Sequence, residues 1–423
     1  MKKECLEAIM LRQDLLILGN GFDLSCNLKS SYADFFKDRW SSDVIDYLRD
    51  LESEFYLICK NEQTKSDEYF DAYEEAGEYY ALLANIPNNM NVWDLIIFFG
   101  RDSSPELWSD VEYRILAFLI NDFSTQISLP NFEEMKEKIN RGNMINLIVD
   151  EKKRSSAFLS KLVLFAAGKL KLDDPTKSEL VLVNELKKFE VAFKDYMNKK
   201  LFHEQHIYSE YLENADRLLD KIVKYDPEEN KKTNIISFNY TFPFLQSEQT
   251  INLEKTSKVQ RRFEINNIHG KLVDSNIIFG IDQDKINARS FNYLFTKTYR
   301  RLVQNMTAIR DNQLTLPNPQ NIERIIFFGH SLNSADYSYF QSIFDYYDIY
   351  SSSVTLVFYY SIYDKERELQ IQQEHIIAVS DLIKHYGETM DNEAHGENLL
   401  HKLMLENRIS ITEIKVPFMH ELV

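Results

Sequence analysis

Four small polar clusters, each directly after an apolar run, hold the side chains of this chain that could do chemistry. Gly19-Asn20-Gly21-Phe22-Asp23 follows Leu15–Leu18 (LLIL), and Asn239-Tyr240-Thr241 follows Asn234–Phe238 (NIISF). His269-Gly270 follows Glu264–Ile268 (EINNI). Gly329-His330-Ser331 follows Arg324–Phe328 (RIIFF), with Asp336 a few residues on. Glycine is scarce here, 11 in 423 residues, so two within three positions mark a tight turn. Such a turn brings bare backbone against a ligand, and a helix starting near Asp23 would aim amides and a favourable dipole at an anion, typically a phosphate. The alternative is a purely structural turn with positive φ at Gly21. Asparagine often caps turns, and a lone histidine is often a satisfied core residue. Four such clusters together point to a ligand, because in a doubly wound sheet ligands bind outside the carboxyl ends of the strands.

The clusters need strands to carry them. The runs before them are short, β-branched and near-continuously apolar, as strands covered by helices on both faces should be. Asn276–Phe279 (NIIF), Val354–Tyr360 (VTLVFYY) and Ile409–Val416 (ISITEIKV) read the same way. Between the first strand and NIISF the apolar spacing is helical, as in Tyr32, Phe35, Phe36, Val44, Ile45, Leu48 and Leu51, with Ser30 or Ser31 as the first cap. Leu186 to Met197 and Tyr211 to Ile222 repeat that spacing. Residues 43–78 carry twelve acidic residues against three basic ones, read as polar helix faces with a mobile loop around Asn61–Asp67. The expected fold is α/β: a Rossmann-like, doubly wound, mainly parallel sheet with a large helical insertion after the first strand. Residues 1–40 and 231–423 would form a discontinuous nucleotide-binding domain, and 41–230 the insertion.

Composition narrows the partners. Hydrophobic residues at 44% and aromatics at 13% describe a globular chain. A net charge of −17 disfavours nucleic acid and anionic membranes, and Lys255, Lys258, Arg261 and Arg262 read as a solvated loop or edge. Cys5, Cys26 and Cys59 form no CxxC pair, which fits a reducing cytoplasm. No apolar run approaches the ~20 residues that span a bilayer, and MKKECLEAIM is too short for a signal peptide. His203 and His206, flanking Glu204, miss the HExxH spacing by one residue and read as surface histidines, so no metal is expected. His395-Gly396 repeats the His-Gly dipeptide but reads as a helix cap. Trp108, Asp110 and Glu112 read as a core tryptophan with solvated carboxylates, with Glu112 reaching the pocket as an acid in the alternative.

GNGFDL, SSYADFF, WSDVE (Trp108–Glu112), FNYT (Phe238–Thr241), IHG (Ile268–Gly270) and FGHSL…D (Phe328–Asp336) together resemble the bacteriophage abortive infection AbiH family, over roughly residues 14–340. The order Gly-x-Gly, Asn, His-Gly, Gly-x-Ser is more distantly similar to sirtuin-like NAD-binding domains. That second resemblance implies NAD as substrate or ligand, with Gly19 and Gly21 at its phosphates and Asn239 at the nicotinamide ribose. It makes His269 the general base on a ribose hydroxyl or an attacking water, and puts Ser331 at a phosphate or the adenosine ribose. Asn20, Phe22, Gly329, His330 and Asp336 complete the nucleotide-facing set. Cleavage of NAD passes through an oxocarbenium-like state with a good leaving group, so positioning and a base suffice without metal. The departures are specific: Asn20 replaces alanine, Asp23 replaces serine, Thr241 replaces aspartate, and Ser237-Phe238 stands for Thr-Gln. No cysteine cluster supplies the zinc module, which argues against deacylation. Asp23 then becomes a catalytic or substrate-binding carboxylate peculiar to this group. The expected function is an anti-phage abortive-infection effector that binds and hydrolyses NAD or a related nucleotide. A non-catalytic nucleotide-sensing or partner-recruiting module is the alternative, and a nuclease the third reading. A phage-derived trigger and a homo-oligomer are left open.

Overall fold

A computed structural model describes residues 13–61, 90–99, 110–119, 175–202, 205–224, 233–241, 263–284, 286–307, 316–332 and 334–416. The apolar runs form strands β1 (Gln13–Leu18), β2 (Thr233–Ser237), β3 (Phe263–Asn267), β4 (Ile322–Phe328), β5 (Thr355–Tyr360) and β6 (Ile409–Glu413). They pair in the order β3-β2-β1-β4-β5-β6, every pair parallel. This is the α/β, Rossmann-like sheet expected from the sequence. The chain moves outward from β1 through β2 to β3, then returns to β4 on the other side of β1. The switch point, where such sheets open a crevice, therefore lies between the tips of β1 and β4. Leu18 pairs with Ser237 on one side and Phe328 on the other, which levels three strand ends.

Period-two alternation along β1 divides the core. Leu16 and Leu18 join one apolar cluster, and Leu15 and Ile17 the other. The first face is covered by helices from the stretch between β1 and β2: α1 (Gly21–Ser25), α2 (Tyr32–Arg39), α3 (Ser42–Asn61), α4 (Val92–Phe99), α5 (Val111–Ala117), α6 (Pro175–Phe202) and α7 (Gln205–Val223). Phe35, Trp93, Phe189 and Leu219 of these helices share one cluster with Leu16 and Leu18. After β3 comes α8 (Lys297–Thr307). The second face packs against α9 (Tyr337–Tyr346), α10 (Glu368–Glu388) and α12 (Leu399–Leu405), with the short α11 (Glu393–Glu397) between the last two. Among the described residues no helix is long and apolar enough to cross a membrane.

Several local readings change. NIIF is not a strand: Ile277, Ile278 and Phe279 are buried, but their backbone is held from outside the sheet. Ile278 N donates to His269 O (2.9 Å) and Phe279 N to Glu190 Oε1 (2.7 Å). Glu190 in turn pairs with Arg300 (2.7 Å), tying α6 to α8. The helical run from Tyr32 breaks at Trp40–Ser41 into α2 and α3, and Ser31 is the cap, accepting from Asp34 N at 3.0 Å. His395-Gly396 lies in α11, where Asn392 caps and His395 stacks on Tyr350. Lys255, Lys258, Arg261, Arg262, Trp108, His203, Glu204, Cys5 and residues 62–67 lie outside the described residues, as do the side chains of His206 and Cys59.

The glycine turn has a different cause from either one expected. The helix starts at Gly21 rather than near Asp23 and runs only five residues. Positive φ belongs to Gly329 (+70°), not to Gly21. The two turns lie backbone to backbone: Gly19 N donates to Phe328 O (3.0 Å) and Gly21 N to Gly329 O (2.7 Å). A Cβ on Gly19 would sit 2.4 Å from His330 Cα, and one on Gly21 2.7 Å from Gly329 Cα. A Cβ on Gly329 would sit 2.3 Å from Phe22 N. Glycine is required because backbone occupies the side-chain space. Gly21→Val and Gly329→Ala should each therefore lower stability by more than about 3 kcal/mol, combining overpacking with strain. Thermal denaturation followed by circular dichroism measures this, and a near-native midpoint for either variant would contradict the contact.

Candidate functional site

A cavity of about 380 Å³ opens where the tips of β1, β2, β3 and β4 meet. The first tip lends it Gly19, Asn20, Gly21 and Asp23; the second lends Asn239, and the third His269. Gly329, His330, Ser331 and Asp336 come from the stretch after β4. The structure thus gathers these sequence-predicted positions around one space. Phe22 does not line it: the ring is buried and meets Phe328 edge-on at 6.4 Å. Asn20 braces the next loop, its Oδ1 accepting from Ser30 Oγ (2.7 Å) and its Nδ2 donating to Ser30 O (3.3 Å).

The expected phosphate cradle is largely closed. The amides of Gly19, Gly21 and Phe22 donate to Phe328 O, Gly329 O and Gly19 O respectively. Recognition at this tip falls to side chains.

The centre of the charge pattern is Asp336, placed where α9 begins. Lys297 Nζ donates to Asp336 Oδ1 (2.7 Å), Glu112 Oε2 (2.8 Å) and Ala335 O (3.0 Å). His330 Nε2 lies 3.3 Å from Asp336 Oδ2, while its Nδ1 accepts from Leu332 N (3.0 Å), which puts the ring proton on Nε2. His269 Nε2 lies 3.1 Å from Asp336 Oδ1, out of line for a hydrogen bond and otherwise buried without a partner. Burial opposes charge on Asp336, yet Lys297 and the histidines hold it well below the usual carboxylate range. Burial, reinforced by Lys297, lowers His269 to about 4, so the ring is neutral at physiological pH. Burial pushes Glu112 above the usual range, against the pull of Lys297.

A second polar group sits across the cavity. Asp23 is buried and accepts from Tyr211 Oη (2.6 Å) and Thr241 Oγ1. Burial raises it to about 6, against the hydrogen bonds of Thr241, Tyr211 and Asn239. Asn239 Oδ1 is buried and has no partner. Asn267 Nδ2 holds the Asn239 carbonyl (3.0 Å) from the end of β3. An unpaired buried acceptor of this kind costs about 1–3 kcal/mol. Tyr32, Phe193 and Tyr240 supply an apolar wall beside these groups.

Sequence reasoning missed Lys297 and Tyr211 and set Glu112 aside. Lys297 lies in no motif and Tyr211 looks like one more apolar position on a helix. Their roles come from burial beside a partner 39 and 188 positions away.

Comparison with known proteins comes to one positive result. The family described as Bacteriophage abortive infection AbiH matches residues 15–360. No curated protein and no solved structure matches.

The Asp23 environment has a sign that can be checked. Its folded value of about 6 exceeds the ordinary 3.8, so the charged form destabilises the fold above pH 6. That cost fades as pH falls from about 6 to 3.8. Asp23→Asn should therefore raise stability at pH 8 by up to about 3 kcal/mol and change little near pH 3.5. Urea denaturation at both pH values measures it. A variant less stable than wild type at pH 8 would show that the Thr241 and Tyr211 hydrogen bonds outweigh burial.

Proposed function

The chain belongs to the bacteriophage abortive infection AbiH family, and on that premise we propose that its strand-end cavity binds NAD or a related nucleotide and hydrolyses it during infection. Membership carries the role in abortive infection; the substrate and the reaction are our reading of the site. The observation that carries it is one arrangement: neutral His269 backed by ionised Asp336, itself anchored by Lys297, beside the open acceptor of Asn239.

N-glycosidic hydrolysis needs a held ribose, a proton acceptor and tolerance of a positive sugar. Asn239 Oδ1 accepts from a ribose hydroxyl. With Nε2 against Asp336, Nδ1 of His269 is left to take the proton of an attacking water. Asp336 stabilises the imidazolium that forms, as a carboxylate behind a catalytic histidine does. The carboxylates lining the cavity favour the oxocarbenium-like sugar. The carbon–nitrogen bond electrons leave with nicotinamide, the water oxygen joins the sugar carbon, and one proton passes to His269. The low value of His269 makes it a weak base in the empty site, and an approaching cationic sugar does not strengthen it. Asp336 already offsets part of the burial that weakens it.

His269→Ala and Asn239→Ala should keep the fold and lose about 10²–10⁴-fold in NAD cleavage, with loss of protection against phage. His395→Ala, at the unrelated His-Gly, should protect as wild type does. NAD and nicotinamide measured by mass spectrometry after infection decide the matter. Level NAD in cells that the wild-type chain protects would refute hydrolysis and favour a nucleotide-sensing module. Loss of protection in Asp23→Ala alone would move the catalytic centre to the first strand tip.

A further inference from the structure

Lys297 does more than anchor Asp336. Its ammonium also grips Glu112, which reaches the same cavity from α5, 185 positions away in sequence. We propose that Glu112 is a second catalytic residue, one that hands a proton to the departing base and so extends the site to N-ribosides whose base cannot leave unprotonated. The inference rests on the N-glycoside reading above.

Three observations support it. Glu112 Oε2 and Asp336 Oδ1 lie 2.8 and 2.7 Å from one nitrogen. They are therefore no more than about 5.5 Å apart, close enough that charge on one carboxyl disfavours charge on the other. Next, one ammonium faces two carboxyls, and their surroundings differ. Asp336 also has His330 Nε2 at 3.3 Å and His269 Nε2 at 3.1 Å, whereas Glu112 has Lys297 alone among its described contacts. Asp110 and the hydroxyls of Tyr32 and Tyr240 are the other ionisable groups near Glu112, and none offers a positive charge. The negative charge settles on Asp336 and the proton on Glu112, the opposed arrangement that separates acid from base in paired-carboxyl sites. Finally, burial pushes Glu112 in the same direction.

The step balances. As the carbon–nitrogen bond breaks, its electrons go to the base nitrogen, and the Glu112 proton neutralises the base there. The water oxygen joins the sugar carbon and its proton passes to His269. Exchange with solvent then returns one proton to Glu112, and the net change is addition of one water. NAD does not need this proton, because its pyridinium leaves as neutral nicotinamide. Adenosine 5′-monophosphate does, because adenine would otherwise leave as an anion.

The test compares purified wild type and Glu112→Gln on these two substrates, since glutamine keeps an acceptor for Lys297 but carries no acidic proton. The variant should lose about 10²–10⁴-fold on adenosine 5′-monophosphate, and at least tenfold less on NAD. The wild-type rate on adenosine 5′-monophosphate should also fall at alkaline pH as Glu112 ionises, a limb the variant lacks. Independently of turnover, the infrared band of protonated carboxyls at pH 7 should be weaker in the variant than in wild type, because Asp23 and Glu190 also contribute to it and Glu112 alone is removed. Equal losses on both substrates would reduce Glu112 to a positioning residue and overturn the proposal, as would a carboxyl band of equal strength in wild type and variant. Cleavage of NAD without cleavage of adenosine 5′-monophosphate would leave hydrolysis standing and remove Glu112's role alone. If wild type cleaves neither, both fall.

Discussion

Backbone lies against backbone where β1 and β4 end, and the site depends on that contact. Gly19 and Gly21 approach Gly329 and His330 so closely that no side chain fits between them. The contact joins the two central strands at the switch point and gives the cavity a fixed floor. It also occupies the amides that a phosphate would need. A glycine turn after a strand is commonly read as a phosphate loop. Here the same residues serve packing.

Several of the cavity's side chains titrate away from the ordinary carboxylate range. Asp23, Asp110, Glu112 and Asp336 all border the cavity. Lys297, which reaches Glu112 and Asp336, is buried with its three donors engaged. Burial keeps Asp23 near 6 and raises Glu112, so the wall is less anionic than its composition suggests. Such a wall suits the sugar and base of a nucleotide better than its pyrophosphate, because hydroxyls and ring nitrogens exchange hydrogen bonds with carboxyls that phosphates repel. The cost falls on stability: a buried carboxyl that titrates high opposes folding whenever it is charged.

Much of the frame was legible because the frame is repetitive. Near-continuous β-branched runs announced a sheet covered on both faces, and polar residues just past them marked its tips. NIIF misled because burial on both sides looks the same in sequence, whether the backbone bonds come from a neighbouring strand or from Glu190. The turn glycines were found for the wrong reason, since sequence shows that a Cβ is missing but not what fills its place. Lys297 and Tyr211 left no trace at all. A lysine in the first turn of a helix looks solvated, and only the fold sets Asp336 and Glu112 against it. A tyrosine in an apolar stripe shows its ring and conceals its hydroxyl.

The site is consequently composite. The sheet tips supply Asn239, His269 and Asp336, while the helices between β1 and β2 supply Glu112, Tyr211 and the Phe193 ring. Each helical contribution acts on a group that the first strand tip or the later strands position: Tyr211 on Asp23, and Glu112 on Lys297 and through it on Asp336. The hydrogen bond from Tyr211 lowers the titration of Asp23, against the larger effect of burial. Withdrawing α5 would leave Lys297 bonded to Asp336 and Ala335 O. The protonation of the cavity is therefore set by how these helices seat on the sheet. Two contacts, Tyr211 with Asp23 and Glu112 with Lys297, thus join these helices to the groups around the strand tips.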